Sequence, residues 1–109
     1  MFEQYFSDWA ILAKELTPRV IVALYPHMSL KDGAAPTIRP EIMDIHSRML
    51  SLCKTNNIVC VDLSTSLVKF DDSRDVRASA FDNHPSAEAH RKIADALYEV
   101  LRADKVPTF

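Results

Sequence analysis

Glycine is almost missing from this sequence: Gly33 is the only one in 109 residues, whereas average usage of about 7% would supply seven or eight. Glycine is the residue that lets a backbone turn tightly or come close to a phosphate. The scarcity therefore excludes a glycine-rich phosphate loop, a dinucleotide-binding fingerprint and the G-x-S-x-G turn that presents a nucleophilic serine. Any chemistry in this chain has to be built without these motifs.

Long apolar runs and an excess of basic charge are also missing. No stretch approaches the roughly 18 apolar residues that a membrane span needs, and the start, MFEQYFSDW, lacks the basic region of a signal peptide. The formal net charge is -2, which does not favour nucleic acid or an anionic membrane as a partner. We expect no membrane span and no nucleic-acid partner, and the length predicts that residues 1–109 form a single domain.

Cysteine occurs at two positions. Cys53 and Cys60 are the only two, and their spacing is that of neither a metal-binding pair nor a disulfide framework. We interpret both as buried free thiols. Reduced thiols favour the cytoplasm, but the location stays open because a signal peptide would lie in any absent first half of the protein.

What the sequence does contain is an alternation of helical and strand patterns. The predicted elements are a helix at 2–16 ended by Thr17-Pro18, a strand at 19–25, a loop at 26–40, a helix from Pro40 to Asn56-Asn57, a strand at 58–63, an irregular segment at 64–83 and a helix at 86–103. The helices are predicted from apolar residues at i, i+3, i+4 and i+7. The strands are short, β-branched and apolar on both faces, as buried parallel strands are.

This order predicts an α/β fold in which a crossover helix joins two parallel strands. Helices on a parallel sheet give a three-layer arrangement. A sheet of two strands leaves a strand edge unpaired, which is an association hazard. We therefore expect that the isolated chain dimerises, exchanges strands with a second copy, or is ordered by a larger context.

Ligands of α/β proteins collect at the carboxyl ends of the strands. Three polar stretches fall there: Tyr25-Pro26-His27, Ser64-Thr65-Ser66 and Asp82-Asn83-His84. The third is the most informative, since it precedes a helix that Ser86 can cap. A histidine that moves protons needs a partner that orients its ring through the other nitrogen, and a carboxylate such as Asp82 serves this purpose.

The stretch FDNHPSAEAHRKIADAL (81–97) resembles the last block of the SGNH (GDSL-like) hydrolases, which is written D-x-x-H-P followed by a helix. The similarity extends to RVIVALYP (19–26), which is like the penultimate strand of that fold, and to the helix and strand within 45–67. The resemblance implies a flavodoxin-like α/β fold and a small-molecule ester substrate, and we expect no cofactor. The four histidines are too scattered, with no i, i+4 pair among them, to indicate a metal site. The resemblance also implies that His84 is the general base and acid, with Asp82 as its orienting carboxylate.

Two departures from the family pattern bear on these roles. Asp82 lies two positions before His84, whereas the family has three, and Phe81 fills that slot. The Gly-Asp-Ser nucleophile block, the glycine block and the Gly-x-Asn-Asp block of the family's first half are missing from this chain. The resemblance therefore implies the C-terminal half of a serine ester hydrolase that is inactive alone. The alternative is a non-catalytic module, either a degenerate half-fold or an interaction domain.

The remaining histidines have structural interpretations. His90 shares a helical face with apolar residues, so we expect it to be buried and hydrogen-bonded, and His46 on a helix flank is predicted to be structural. His27 stands at a strand end, where a substrate contact and a plain surface role are both open. Asp71, Asp72 and Asp75 are read as solvated charges of the loop. Ser64 and Ser66 lack the flanking glycines that a nucleophile turn needs.

Overall fold

A computed structural model describes residues 1–17 and 19–103, which form a fold of mixed helices and strands. Its elements are α1 (Phe2–Leu16), β1 (Ile21–Leu24), α2 (Pro40–Thr55), β2 (Val59–Asp62), α3 (Ser64–Leu67), a 3-10 turn (Ser73–Asp75), β3 (Arg77–Ser79), β4 (Asp82–Pro85) and α4 (Ala87–Arg102). The three long helices and the first two strands lie where the sequence predicts them. Pro18, to which we assigned the end of the first helix, lies outside the described residues.

Strands β1 and β2 pair in parallel, with Ile21 opposite Val59 and Leu24 opposite Asp62. Helix α2 makes the crossover between them, as the order of elements predicts. Pro40 occupies the first turn of α2, where its missing N–H costs no hydrogen bond. Asn57 ends the crossover in the left-handed region with φ 54°, so the chain reverses directly into β2.

The reversal brings Cys53 of α2 next to Cys60 of β2, and the two form a disulfide. Their Cα atoms are 6.1 Å apart, within the range of about 4.4–6.8 Å that this bond spans. Our interpretation of both as free thiols is therefore wrong, and the two cysteines do not favour the cytoplasm. Spacing in sequence did not reveal the pair, because only the tight turn at Asn57 makes positions seven apart meet across a helix and a strand.

The segment 64–83, predicted to be irregular, contains further short elements. Helix α3 follows β2 directly, and β3 pairs antiparallel with β4 through Arg77–Pro85 and Ser79–Asp82 with an irregular register. These elements span three or four residues each, which is too short for a sequence period to be visible. The prediction of only two strands and three helices is corrected accordingly.

Two apolar clusters lie on opposite faces of the β1–β2 sheet. Phe6 and Ala10 of α1 and Cys53 of α2 belong to the first, against which Val22 and Cys60 pack. Leu67, Phe70, Val76 and Ala89 belong to the second, against which Val61 packs. Alternate residues of a strand point to opposite faces, so Cys60 and Val61 place one cluster on each side of the sheet. Within the described residues the sheet has two strands, which are too few to define a flavodoxin-like fold.

The inner faces of the helices differ in part from their predicted residues. In α1 the wide apolar stripe is divided: Phe6 and Ala10 are buried, while Phe2, Tyr5, Trp9, Leu12 and Leu16 are exposed. In α4 the apolar periodicity of the sequence predicts Ile93, Ala94, Leu97, Val100 and Leu101 on the inner face; Ile93, Leu97 and Val100 are half-buried, whereas Ala94 and Leu101 are exposed. Most of the large apolar side chains of α1 therefore stay outside the core of this fold.

Candidate active site

Asp82 and His84 lie next to each other on β4, just before α4. Asp82 Oδ1 is 2.5 Å from His84 Nδ1 and also accepts the backbone N–H of His84 at 3.0 Å. A spacing of two residues on β4 therefore suffices for the Asp82 carboxylate to reach the His84 ring. The backbone N–H of His84, followed by its ring, holds the pKa of Asp82 below its usual value. A carboxylate that stays charged at Nδ1 leaves Nε2 as the nitrogen that can exchange a proton with a substrate group.

The position of this pair is fixed from the C-terminal side. Ser86 caps α4 by accepting the N–H of Ala89 at 3.1 Å, and its hydroxyl donates to the carbonyl of Asp75 at 2.5 Å. The backbone N–H of Ser86 donates to the carbonyl of Val76 at 2.7 Å. Helix α4 and the turn that precedes β3 therefore both fix the position of the end of β4. The side chain of His84 itself is 87% exposed.

A cavity of about 400 Å³ opens at the carboxyl end of β1. Its lining consists of Tyr25, Pro26, His27, Met28, Leu30, Arg77 and Asn83. Asn83 stands between Asp82 and His84 in the chain, so the cavity adjoins the segment that carries the pair. His27 is exposed and belongs to the lining, where a bound molecule would touch it. Burial raises the pKa of the Tyr25 phenol, which keeps its hydroxyl neutral.

The one cation in this lining, Arg77, forms an ion pair with Asp32 of the loop 26–40. Its side chain is 15% exposed, so the charge is compensated by a protein carboxylate at close range. A cavity with a paired arginine, a neutral phenol and apolar residues suits an uncharged polar molecule better than an anion.

The long loop 26–40 is held against the turn that precedes β3. Asp72 accepts the backbone N–H of Gly33 at 3.2 Å, and Ser73 Oγ donates to the carbonyl of Ala34 at 2.8 Å. Gly33 has φ 80°, a conformation that side chains other than glycine rarely adopt. Hydrogen bonds from Arg74 hold the pKa of Asp72 well below its usual range. Asp72 is thus a structural anchor and not the solvated charge that we expected, while Asp71 and Asp75 are exposed.

A second Asp–His contact, which sequence reasoning missed, lies at the carboxyl end of β2. His46 Nδ1 is 2.9 Å from Asp62 Oδ1, and the same oxygen accepts the Ser64 hydroxyl at 2.6 Å and the Ser64 N–H at 3.0 Å. Burial raises the pKa of Asp62, but the hydrogen bonds from Ser64 and His46 outweigh it and the net pKa is lowered. His46 is buried. Its position between Ile42 and Met49 on the inner face of α2 is the sequence feature that could have indicated a hydrogen-bond partner such as Asp62.

This second cluster does not have the geometry of a catalytic triad. In a triad the serine contacts one ring nitrogen and the carboxylate the other. Here Ser64 Oγ and Asp62 Oδ1 both contact Nδ1, at 3.3 and 2.9 Å, and Ser64 donates directly to the carboxylate. The cluster therefore joins α2, β2 and α3 and does not activate Ser64 as a nucleophile.

The other predicted site residues are placed as follows. His90, expected to be buried, is exposed on α4, because the buried face of that helix passes through Ala89. Ser66 is half-buried. Among residues 1–17 and 19–103, no hydroxyl or thiol forms a hydrogen bond with the His84 ring, and no group of three His, Cys, Asp or Glu side chains could hold a metal ion. No helix in the same part of the chain combines the length and the apolar character that crossing a membrane requires.

Comparison with known proteins gives no relative for this chain. No family model matches the sequence, and neither a curated protein nor a solved structure does. The resemblance to the SGNH hydrolases therefore stays a prediction, and its weight depends on the geometry around His84.

Proposed function

We propose that this chain is the C-terminal part of an SGNH-like serine ester hydrolase with a flavodoxin-like, three-layer fold. His84 is its general base and acid, and Asp82 orients the His84 ring. The observation that carries the proposal is the contact of 2.5 Å between Asp82 and His84 Nδ1. Further support is the parallel β1–β2 pair joined by a helix crossover, which is compatible with the last two strands of such a sheet.

In this function His84 Nε2 accepts the proton of a serine hydroxyl as that oxygen attacks the ester carbonyl, and then donates it to the leaving alcohol. Asp82 stabilises the imidazolium between the two steps. The serine and the groups that bind the oxyanion would be supplied by a preceding segment. The cavity of about 400 Å³ beside Asn83 would receive part of a small, uncharged ester, with His27 as a contact.

The test uses the product of the complete gene and p-nitrophenyl acetate. His84→Ala should lower kcat/KM by several orders of magnitude, because loss of a triad member removes most of the rate enhancement. Asp82→Asn should cost less, since its oxygen still accepts the backbone N–H of His84. His90→Ala is the matched control, as this histidine is exposed on α4, and it should keep the wild-type rate. Residues 1–109 alone should not exceed the rate of free imidazole, because the oxyanion donors are missing.

Two results would contradict the proposal. A wild-type rate in His84→Ala would reduce the Asp82–His84 pair to a loop contact. Activity of residues 1–109 alone that a serine reagent abolishes would move the nucleophile into this chain, with Ser64 and Ser66 as the first residues to substitute.

The alternative is a non-catalytic interaction module. The observation that favours it is the exposure of His84, whose side chain is 87% accessible, because a proton relay works best where water is excluded. The two functions differ in whether the whole protein contains a segment that supplies a nucleophilic serine to His84. An upstream Gly-Asp-Ser segment in the same reading frame supports the hydrolase, and a native start at Met1 supports the module.

A further inference from the structure

Helix α1 carries an apolar surface that the fold leaves uncovered. Five large side chains on it are between 42% and 87% exposed: Phe2, Tyr5, Trp9, Leu12 and Leu16. They recur at intervals of three, four, three and four residues, so they form one narrow stripe, which we call the α1 seam. Intervals that alternate between three and four residues use two positions of each heptad. Such a stripe is typical of a helix that packs on another helix. The inner face, with Phe6 and Ala10, is already occupied by the core.

The α1 seam continues onto an unpaired strand edge. Trp9, Leu12 and Leu16 line an open groove of about 510 Å³ together with Val20 and Ile21 at the start of β1. Within the described residues β1 pairs with β2 alone, so its other edge presents free N–H and C=O groups beside this groove. A free edge of this kind accepts a further strand. The surface therefore offers a helix and a strand edge to the same partner.

We propose that this surface binds a second copy of the chain about a twofold axis that passes near Trp9 and is perpendicular to the sheet. Such an axis makes the two β1 strands antiparallel neighbours and puts both α1 helices on the same side of the joined sheet. The seam fits its own copy, because opposite helix directions bring Phe2 against the partner's Leu16 and Trp9 against the partner's Trp9. An interface that is its own complement is what a closed dimer requires.

The area of the seam is sufficient for a specific dimer. The five side chains expose on the order of 600 Å² per chain, if a whole aromatic residue presents about 150–250 Å². Two copies then cover roughly 1,200 Å² before β1 contributes, and specific interfaces begin at about 1,200 Å². Asp8 and Glu15 follow the seam on its outer side, where water and salt screen their repulsion.

This proposal does not rest on the proposed function. A preceding segment that completes a hydrolase sheet at β1 would need the same edge, so it would compete with the second copy. The dimer is the form that residues 1–109 adopt without that segment.

The test is sedimentation equilibrium of residues 1–109, followed in parallel by the emission of Trp9, the only tryptophan. We expect a monomer–dimer equilibrium with a Kd on the order of micromolar and a blue shift of Trp9 emission over the same concentration range. Leu12→Glu should raise the Kd by about thirtyfold or more, as loss of a central apolar contact does. Ile11→Glu is the control: Ile11 and Leu12 are 59% and 58% exposed, but they lie about 100° apart around the helix, so the control should dimerise like the wild type.

Circular dichroism checks that both variants keep their helices, and Leu16→Glu, at the most exposed position of the seam, replaces Leu12→Glu if that variant unfolds. A wild-type chain that stays monomeric at several hundred micromolar would overturn the proposal. So would equal weakening by Ile11→Glu and Leu12→Glu, or association that continues beyond the dimer, because a closed twofold contact stops at two copies.

Discussion

Reduction of the Cys53–Cys60 disulfide should lower the free energy of unfolding by about 2.5 kcal/mol. The two cysteines are seven positions apart, so the bond closes a loop of about eight residues in the unfolded chain, and the chain-entropy relation for that length gives about 2.5 kcal/mol at 25 °C. Domains of this size are stable by about 5–15 kcal/mol in total. The loss is therefore a large fraction of the stability and corresponds to about 10 °C in Tm.

The measurement is urea unfolding followed by far-ultraviolet circular dichroism, with and without a phosphine reductant. All samples have the same protein concentration, since a dimer adds stability that depends on concentration. The double variant Cys53→Ala/Cys60→Ala is the control, and its midpoint should not respond to the reductant. Cys53 is buried at the end of α2, so the variant also loses some packing and should unfold slightly earlier than the reduced wild type.

Two outcomes would refute this reasoning. Equal midpoints with and without reductant, together with two titratable thiols in the unreduced, denatured protein, would mean that the bond does not form. A bond that forms but contributes less than about 1 kcal/mol would mean that the unfolded chain already keeps α2 and β2 close, contrary to the chain-entropy account.

Two further predictions concern the groups that fix the site. Ser86→Ala should lower the free energy of unfolding by about 1–2 kcal/mol, because it removes the N-cap of α4 and the hydrogen bond to the Asp75 carbonyl. Urea unfolding measures this loss. The control is Ser51→Ala on the exposed side of α2, which should change the free energy of unfolding by no more than about 0.5 kcal/mol. The lowered pKa of Asp62 implies that the charged carboxylate stabilises the fold. This stabilisation is complete above the pKa of Asp62 in the unfolded chain, near 3.8, and it is lost as the pH falls through the lower pKa of Asp62 in the folded chain. Asp62→Asn should therefore flatten the fall in stability below about pH 4 relative to the wild type, which urea unfolding at a series of pH values measures. An unchanged slope in Asp62→Asn would refute the stabilising role of the His46–Asp62–Ser64 cluster.

The long elements of this fold could be predicted from the sequence because their periods extend over many residues. The bounds predicted for α1, 2–16, are those observed, and the crossover of α2 between parallel strands follows from the order of elements. The β3–β4 hairpin could not be predicted, because strands of three and four residues have no visible alternation. Hydrogen bonds outside the strands, such as that from Ser86 to the Val76 carbonyl, also hold the hairpin.

The candidate site was predicted in part. Asp82 and His84 are only two positions apart in sequence, so their contact is local. The His46–Asp62 contact joins positions sixteen apart and depends on how α2 packs on β2. The apolar pattern of α1 likewise predicts one buried face. Which residues of that wide stripe are buried depends on how α1 packs in the fold, and the pattern alone does not show it.

The bonds between the loop 26–40 and the turn before β3 have a consequence for how the chain opens. Gly33 and Ala34 are tied to Asp72 and Ser73 across 39 residues, and Ser86 is tied to the same turn through Val76. Neither the loop nor the end of β4 can therefore detach without breaking bonds to one shared segment. In hydrogen exchange the amides of Gly33, Ser73 and Ser86 should behave as one cooperative unit and open together. The segment that carries His84 should thus move together with the wall of the cavity beside it, so that the distance between the two stays constant.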